Sequence, residues 1–292
     1  MALPDIAVAR YGQSEMVARF SVLDNRPIAP AVHRLEIHAP RVAQHWEPGQ
    51  FVIVRVDRDG ERIPLTVVDA DRATGTIVLV VQAVGFTTDC LVRVPQGGSL
   101  ADVVGPLGRP SNIEQYGHVV VVGGGVGTAV AFPTARALKA AGNQVTVIVG
   151  TRTSDHVVLS EEIRAAGCDL VIATEDGSIG VTGLVTDALA PLLATGGIDR
   201  VVAAGPIPMM HAVAETTRPL GIPTVVSLNP IMVDGTGMCG GCRVVVGGEM
   251  RFACVDGPEF DGHLVDFDGL ARRNRTYLDA ERAARDQAGV PG

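Results

Sequence analysis

The sequence predicts a protein in three parts: an N-terminal β-barrel, a central α/β domain and a small C-terminal metal-binding region. Three observations carry that prediction. Residues 15 to about 108 alternate short β-branched runs with turn signals, a pattern that favours a closed barrel. Val119-Val-Val-Val122 runs straight into Gly123-Gly-Gly-Val-Gly127 and a helical stretch, the strand, glycine turn and helix of a nucleotide-binding unit. Asp234-Gly-Thr-Gly-Met-Cys239-Gly-Gly-Cys242, with Cys254 close behind, gathers three of the five cysteines on or near one glycine-rich loop. The expected boundaries are 1–112 for the barrel, 113–226 for the α/β domain, 227–268 for the cysteine region and 269–292 for a helical tail.

Composition sets the outer limits. At 292 residues the chain exceeds one ordinary core, since domains average about 150 residues. Apolar residues at 47% and charged ones at 19% describe a well-packed globular chain. The formal charge of −8 argues against nucleic acid, whose binding needs Lys and Arg to neutralise phosphates. An odd, clustered set of cysteines fits a reducing compartment and a metal site better than a disulfide framework. The opening Met-Ala-Leu-Pro-Asp carries no apolar signal core. The uncharged run Val119–Ala135 is glycine-studded and shorter than the roughly 20 residues of a membrane span. A cytoplasmic protein with neither nucleic acid nor membrane as partner is expected.

In the barrel, strands are expected at Met16–Leu23, Ala31–His38, Gln50–Val56, Leu65–Asp69, Gly75–Val84 and Gly97–Val104. Arg62-Ile-Pro-Leu-Thr66 places a cation and a hydroxyl two pleats apart on one face. A dinucleotide flavin needs that pair: a guanidinium for its pyrophosphate and a hydroxyl, here Thr66, near the reactive ring nitrogen. Val84-Gly-Phe-Thr-Thr88 and Gly105-Pro-Leu-Gly108 read as glycine turns whose N–H groups can meet phosphate or the flavin edge. Taken singly each has a plainer reading, a solvated strand arginine or an ordinary turn.

In the middle third, a helix is expected over Thr128–Ala141 and a strand over Gln144–Val149. The glycine spacing departs from a strict Gly-x-Gly-x-x-Gly, but its position between strand and helix suits a pyrophosphate. Further strand–helix units are read at Asp169–Ala173, at Gly183–Leu193 and at Val201–Ala204, which leads into Gly205-Pro206-Ile-Pro-Met-Met210. Such a turn lies where open α/β sheets bind ligands. Thr151-Arg152 stands where a ribose would be read. No second basic residue joins Arg152 before Arg164, which favours NADH over NADPH.

The plant-type 2Fe–2S pattern is Cys-x4-Cys-x2-Cys with a distant fourth cysteine. Here the series is Asp234-x4-Cys239-x2-Cys242-x11-Cys254, so a carboxylate takes the first place. A zinc site is the alternative, although the second cysteine knuckle it usually has is missing. Asp234-Gly235 also reads as a simple turn, which would leave the fourth ligand elsewhere. Cys90 and Cys168 sit in apolar contexts and read as buried small hydrophobes. A helix rich in arginine (Arg272, Arg273, Arg275, Arg282 and Arg285) is expected over residues 269–288, either a solvated face or a docking element for a partner subunit.

Taken in order, these parts resemble the ferredoxin–NADP reductase superfamily, in the branch that includes the dihydroorotate dehydrogenase electron-transfer subunit, over roughly residues 15–270. Arg62-Ile-Pro-Leu-Thr66, Gly123–Gly127, Glu175-Asp-Gly-Ser178, Gly205–Met210 and Val233–Cys239 carry the resemblance. It implies a ferredoxin reductase-like fold with a Greek-key flavin barrel. It assigns FAD to Arg62, Pro64, Leu65, Thr66, Val84, Gly85, Thr87, Thr88, Gly105 and Gly108, with Thr66 as the catalytic hydroxyl. It assigns NAD(H), ahead of NADP(H), to Gly123, Gly124, Gly125, Gly127, Thr151, Arg152, Asp176, Gly205, Pro206 and Met209. A 2Fe–2S cluster falls to Asp234, Cys239, Cys242 and Cys254.

The implied activity passes hydride from NADH to FAD and single electrons to the cluster. From there they reach a large flavoprotein subunit related to the small subunit of glutamate synthase, with ferredoxin as external partner, in electron bifurcation. The dihydroorotate subunit has four cysteines, and aspartate as first ligand is similar to the ferredoxin:NADP+ type within the branch. Leu65 replaces an aromatic, and Ala204 a cysteine, found in many superfamily members. The competing readings are the electron-transfer subunit of a sulfide or dihydroorotate dehydrogenase, and a redox sensor that uses its cluster as a switch.

Overall fold

The computed structural model describes residues 19–276 together with Ala283. The first six strands are β1 (Val22–Ala29), β2 (Val32–His38), β3 (Phe51–Arg55), β4 (Arg62–Asp71), β5 (Thr76–Gln82) and β6 (Asp102–Leu107). They form one antiparallel sheet in the order β1-β2-β5-β4-β3-β6. The start of β1 meets the segment that leads into β6: Ser21 bridges Ser99, Val22 donates its N–H to the Gly98 carbonyl and its own carbonyl accepts from Gly97, which closes the sheet at that end. Leu35 and Ile37 of β2 stand opposite Leu79 and Ile77 of β5, and all four are fully buried. Two short helices, α1 (Pro40–His45) and α2 (Phe86–Val92), cover the ends.

The second sheet is built from β7 (His118–Gly124), β8 (Gln144–Thr151), β9 (Asp169–Thr174), β10 (Val181–Thr182), β11 (Arg200–Ala204) and β12 (Thr224–Ser227). Its strands run parallel in the order β10-β9-β8-β7-β11-β12. The intervening helices are α3 (Gly127–Ala140), α4 (Ser160–Ala165), α5 (Val185–Thr195) and α6 (Ile207–Thr217). Val119 to Val122 are wholly buried because helices cover both faces. Val119 and Val121 pack with Phe132, Ala135 and Leu138 of α3, while Val120 and Val122 pack with Leu189, Met210 and Val213. That two-sided burial is why the strand reads as an unbroken valine run.

Residues after β12 add the hairpin β13 (Arg243–Val246) and β14 (Glu249–Phe252), helix α7 (Ala253–Asp256), strand β15 (Glu259–Asp261) and helix α8 (Phe267–Asn274). β15 pairs antiparallel with β12, so the C-terminal region extends the α/β sheet. Phe267 of α8 stacks on His211 of α6 with ring centroids 4.8 Å apart. The barrel and the α/β domain also share a packed face. Val78 and Val80 of β5 and Val68 of β4 are buried with Ala129 and Phe132 of α3, and Arg136 reaches Asp69 at 2.7 Å. Among the described residues no helix is long and apolar enough to cross a membrane.

Several sequence expectations change. The first strand was expected at Met16–Leu23, but residues 16–18 lie outside the described residues and the strand runs from Val22 to Ala29. Asp24 to Ala29 fall outside the expected strands, yet they pair with β2 alone, leaving the other edge of β1 open beyond Val22, with register shifts near both ends of the pairing. Such an edge tolerates charge and proline. The expected Gly97–Val104 strand is displaced to Asp102–Leu107, because the backbone of Gly97 and Gly98 is committed to Val22. Gly105-Pro106 is therefore part of a strand, joined by a cis peptide, and is no turn. The Val84–Thr88 turn holds the start of α2, with Gly85 at its N-cap. The tail helix is described as α8 only, and Arg282 and Arg285 fall outside the described residues.

Candidate flavin–nucleotide cleft and iron–sulfur loop

Strand order places a crevice between the C-terminal ends of β7 and β11, where the sheet's connections reverse direction. The barrel closes that crevice into a cleft of about 860 Å³, inside the range of about 300–1,000 Å³ usual for cofactor sites. One wall is Pro64, Leu65 and Thr66 of β4, with Phe51, Gln82, Val84 and Thr88 around them. The facing wall is Gly124, Gly125, Val126 and Gly127, with Thr151, Arg152, Glu175, Ala204, Gly205, Pro206 and Met209. Ser227, Leu228, Asn229, Pro230, Met232 and Pro258 form the side nearest the cysteine loop. The lining is mostly apolar with a few polar groups, which suits a flat aromatic ring bearing polar edges.

The glycines of the nucleotide wall are required by contact. A Cβ on Gly127 would lie 2.3 Å from the Ala204 carbonyl oxygen, and one on Gly124 would lie 2.3 Å from Met209 Sδ. The turns after β7 and β11 therefore touch through glycine. The N-terminus of α3 is left facing the cleft, where free N–H groups favour a phosphate.

Other residues assigned to this site stand off the cleft wall. Arg62 donates through Nε to the Val233 carbonyl at 3.0 Å, in the cysteine loop. Gly85 donates its N–H to Thr88 Oγ1 at 3.0 Å, and Thr87 donates its hydroxyl to Glu61 at 2.6 Å. Gly105 packs on Val52. Gly108 packs beside Phe51 and Pro258 and accepts from Gln50 Nε2 at 2.8 Å. Gly123 lies under Thr128. Asp176 accepts from the backbone and hydroxyl of Ser178, and those bonds hold its carboxyl below the usual range. Glu175, its neighbour, faces the cleft instead.

Some cleft residues were not singled out by sequence. Phe51 stands directly opposite Thr66 across the β3–β4 ladder, supplying an aromatic beside the position where Leu65 lacks one. Ser227 ends β12 and Leu228 to Pro230 follow it, and the rule that ligands gather at strand C-termini would have found them. Pro258 reaches the cleft only because β15 joins the sheet.

The cysteine loop crosses below the barrel. Gly235 has φ +83° and lies so close to the barrel that a Cβ would meet Leu107 at 2.7 Å and Ile53 at 2.9 Å. Gly237 and Gly240 also take positive φ, so the loop turns back on itself between Asp234 and Cys242. Cys242 and Cys254 are buried with their sulfurs 3.1 Å apart, both as free thiols. Burial, reinforced by Cys242, pushes the Cys254 thiol up to about 12. Cys239 is exposed, and its thiol is lowered chiefly by the Gly241 backbone N–H, with that of Asp234 adding to the effect. The Asp234 carboxyl is lowered first by its bond from the Thr236 hydroxyl, with Arg62 adding a smaller pull.

Among the described residues no three His, Cys, Asp or Glu donors converge on one point. A two-iron cluster asks for something different, two ligands on each iron. The loop offers two pairs, Cys242 with Cys254 and Asp234 with Cys239. That donor set fits the group. Two buried thiols facing each other, with the Gly237 backbone N–H also directed at Cys254, suit thiolates that a metal neutralises.

A closed six-stranded antiparallel sheet, a parallel α/β sheet with its glycine turn at the switch point, and a cysteine loop beside their shared cleft define a ferredoxin reductase-like electron-transfer protein. Residues 229–266 match the iron–sulfur cluster binding domain of dihydroorotate dehydrogenase B. The chain is 48% identical over 260 residues to a dihydroorotate dehydrogenase B electron transfer subunit homolog of Thermotoga maritima, covering 89% of this chain and 92% of that one. It is 34% identical over 251 residues to the dihydroorotate dehydrogenase B electron transfer subunit of Geobacillus thermodenitrificans, covering 83% and 95%. It therefore belongs to the family of dihydroorotate dehydrogenase B electron-transfer subunits. A chain in the structure of an NADH-dependent reduced ferredoxin–NADP oxidoreductase superposes with a TM-score of 0.88 at 46% identity, covering 92% of this chain and 98% of that one. An Amycolatopsis cytochrome P450 reductase, at 22% identity and a TM-score of 0.59, shares the fold.

Proposed function

We propose that this chain is the small electron-transfer subunit of an NADH-dependent ferredoxin:NADP+ oxidoreductase, taking electrons from NADH and delivering them to a larger flavoprotein subunit. The observation that carries the reading is the course of β4. Its first residue, Arg62, is bonded to the cysteine loop, and Pro64 to Thr66 line the cleft two to four residues later. One strand thus brings the flavin wall and the cluster loop together.

When bound, FAD would supply a two-electron acceptor for hydride from NADH, and a 2Fe–2S group would supply a one-electron relay. The chain supplies alignment. Pro64, Leu65 and Phe51 bound the ring site, Thr66 presents a hydroxyl to it, and Gly124 to Gly127 with the α3 N-terminus hold the nucleotide phosphates. Asp234, Cys239, Cys242 and Cys254 would hold the iron. Glu175 beside Arg152 puts a carboxylate at the ribose end, which favours NADH over the extra phosphate of NADPH. The larger subunit is proposed to be related to the glutamate synthase small subunit, with ferredoxin as external partner, in the reducing cytoplasm where free cysteines persist.

Asp234 in place of a first cysteine, with the likeness to the ferredoxin–NADP oxidoreductase chain, favours this reading over a dihydroorotate dehydrogenase. Anaerobically purified chain should contain iron, acid-labile sulfide and FAD, and NADH should bleach the flavin. The Asp234→Ala variant should lose iron or change its EPR signal while keeping FAD. A colourless wild-type chain would overturn the proposal. Co-purification of a dihydroorotate dehydrogenase from native extract would move the chain to that pathway.

A further inference from the structure

We propose that Arg62 and Arg273 form a cationic clamp on the cysteine loop, positioning it and raising the reduction potential of the iron–sulfur group, an inference that rests on the cluster reading above. Two elements from different parts of the chain carry it independently. Arg62 of β4 donates through Nε to the Val233 carbonyl at 3.0 Å, one residue before Asp234. Arg273, near the end of α8, donates through Nη2 to the Gly241 carbonyl at 3.1 Å, one residue before Cys242. Each guanidinium is therefore fixed on the peptide that precedes a proposed ligand. One comes from the barrel and the other from the C-terminal helix.

The Asp234 carboxylate, a proposed ligand, is an acidic group that Arg62 acts on. Among the described residues, neither Arg62 nor Arg273 has an ion-pair partner within 4.0 Å, in a chain whose formal charge is −8. Arg243, next to Cys242, adds a third guanidinium at the loop, its Nη1 3.3 Å from the Cβ position of Gly240. Asn274 fastens α8 further along by donating to the Asn229 carbonyl at 3.1 Å, at the cleft edge. One of the arginines of the tail stripe is thus turned onto the loop.

The physical consequence follows from charge. Reduction adds one electron to the cluster, so nearby positive charge favours the reduced form, and net charge and hydrogen bonding are the levers that set such potentials. Arg62 is half-buried and Arg273 exposed, so salt should weaken the effect. The exposed loop has few buried contacts of its own around Met238 and Cys239. Two side-chain tethers restrict it without covering the exposed sulfur.

The test uses the full chain, purified anaerobically, with Arg62→Gln, Arg273→Gln, the double variant, Arg62→Lys and Arg273→Lys. Iron, acid-labile sulfide and FAD are assayed first, and the midpoint potential is read by EPR-monitored redox titration at low and high salt. The Arg273→Gln variant should keep its FAD, and each glutamine variant should titrate at a more negative potential. The double variant should shift further, the lysine variants should stay nearer the wild type, and salt should shrink the differences. An unshifted double variant with a full cluster overturns the clamp, and where Arg62→Gln loses FAD an unshifted Arg273→Gln overturns it. Iron loss confined to the glutamine variants supports it, because lysine keeps the charge. Iron loss from the lysine variants as well overturns the electrostatic role. Wild-type chain without iron would instead sink the underlying cluster reading, before any variant is compared.

Discussion

Thr66 faces the cleft from the middle of β4, with Phe51 directly across the ladder on β3. A hydroxyl there can donate to a ring nitrogen that gains charge as hydride arrives. One neutral hydrogen bond contributes about 0.5–1.5 kcal/mol, which corresponds to a rate change of up to roughly tenfold. Thr66→Ala should therefore keep its FAD while NADH bleaches it on the order of tenfold more slowly, read by stopped-flow absorbance. An unchanged rate would remove Thr66 from the reaction. At this scale the sequence was informative about identity and less so about neighbours. Alternation put Arg62 and Thr66 on the same side of β4. It gave no hint that the arginine would meet Val233, a residue 171 positions away. Phe51 was missed for the same reason, since its place opposite Thr66 is a matter of register between two strands.

At the scale of elements, long periodic segments were legible and short ones were not. The valine run of β7 and the helix after it stand within two residues of expectation, because burial on both faces writes a continuous apolar pattern. α1 and α2 are six and seven residues long and leave too few turns for a periodicity to appear. The junction of β7 and α3 yields a sharp prediction. Gly127 opens α3, where alanine is the better helix former by about 1 kcal/mol. Its Cβ would nevertheless lie 2.3 Å from the backbone oxygen of Ala204, which cannot swing aside as a side chain would. Gly127→Ala should push the β7 and β11 turns apart and weaken NADH binding by roughly tenfold, about 1.4 kcal/mol. Isothermal titration with NADH measures this. Unaltered affinity would mean that the glycine turn does not form the phosphate site.

At the scale of the whole molecule, the order of barrel, α/β unit and cysteine loop was readable because each has its own composition. How the three lock together was not, because it depends on side chains distant in sequence. The lock is a buried hydrogen-bond node. Ser111, in the link between barrel and α/β domain, donates to Glu259 of β15 at 2.6 Å and lies 2.8 Å from the Thr134 hydroxyl on α3. Burial raises the Glu259 carboxyl above its ordinary value of 4.5, against the opposing pull of Ser111, Thr134 and Arg200. A carboxyl raised on folding binds its proton more tightly in the native state. Its favourable contribution is complete below its unfolded value and is lost as pH rises through the folded one, where a buried carboxylate forms at the join. Glu259→Gln removes that titration and keeps an acceptor for Ser111. The melting temperature of the variant minus that of the wild type should then grow as pH rises from below 4.5 towards neutrality. Differential scanning calorimetry across that interval tests it. Two curves that stay parallel would show that the Glu259 proton plays no part in holding the barrel, the nucleotide domain and the cysteine region together.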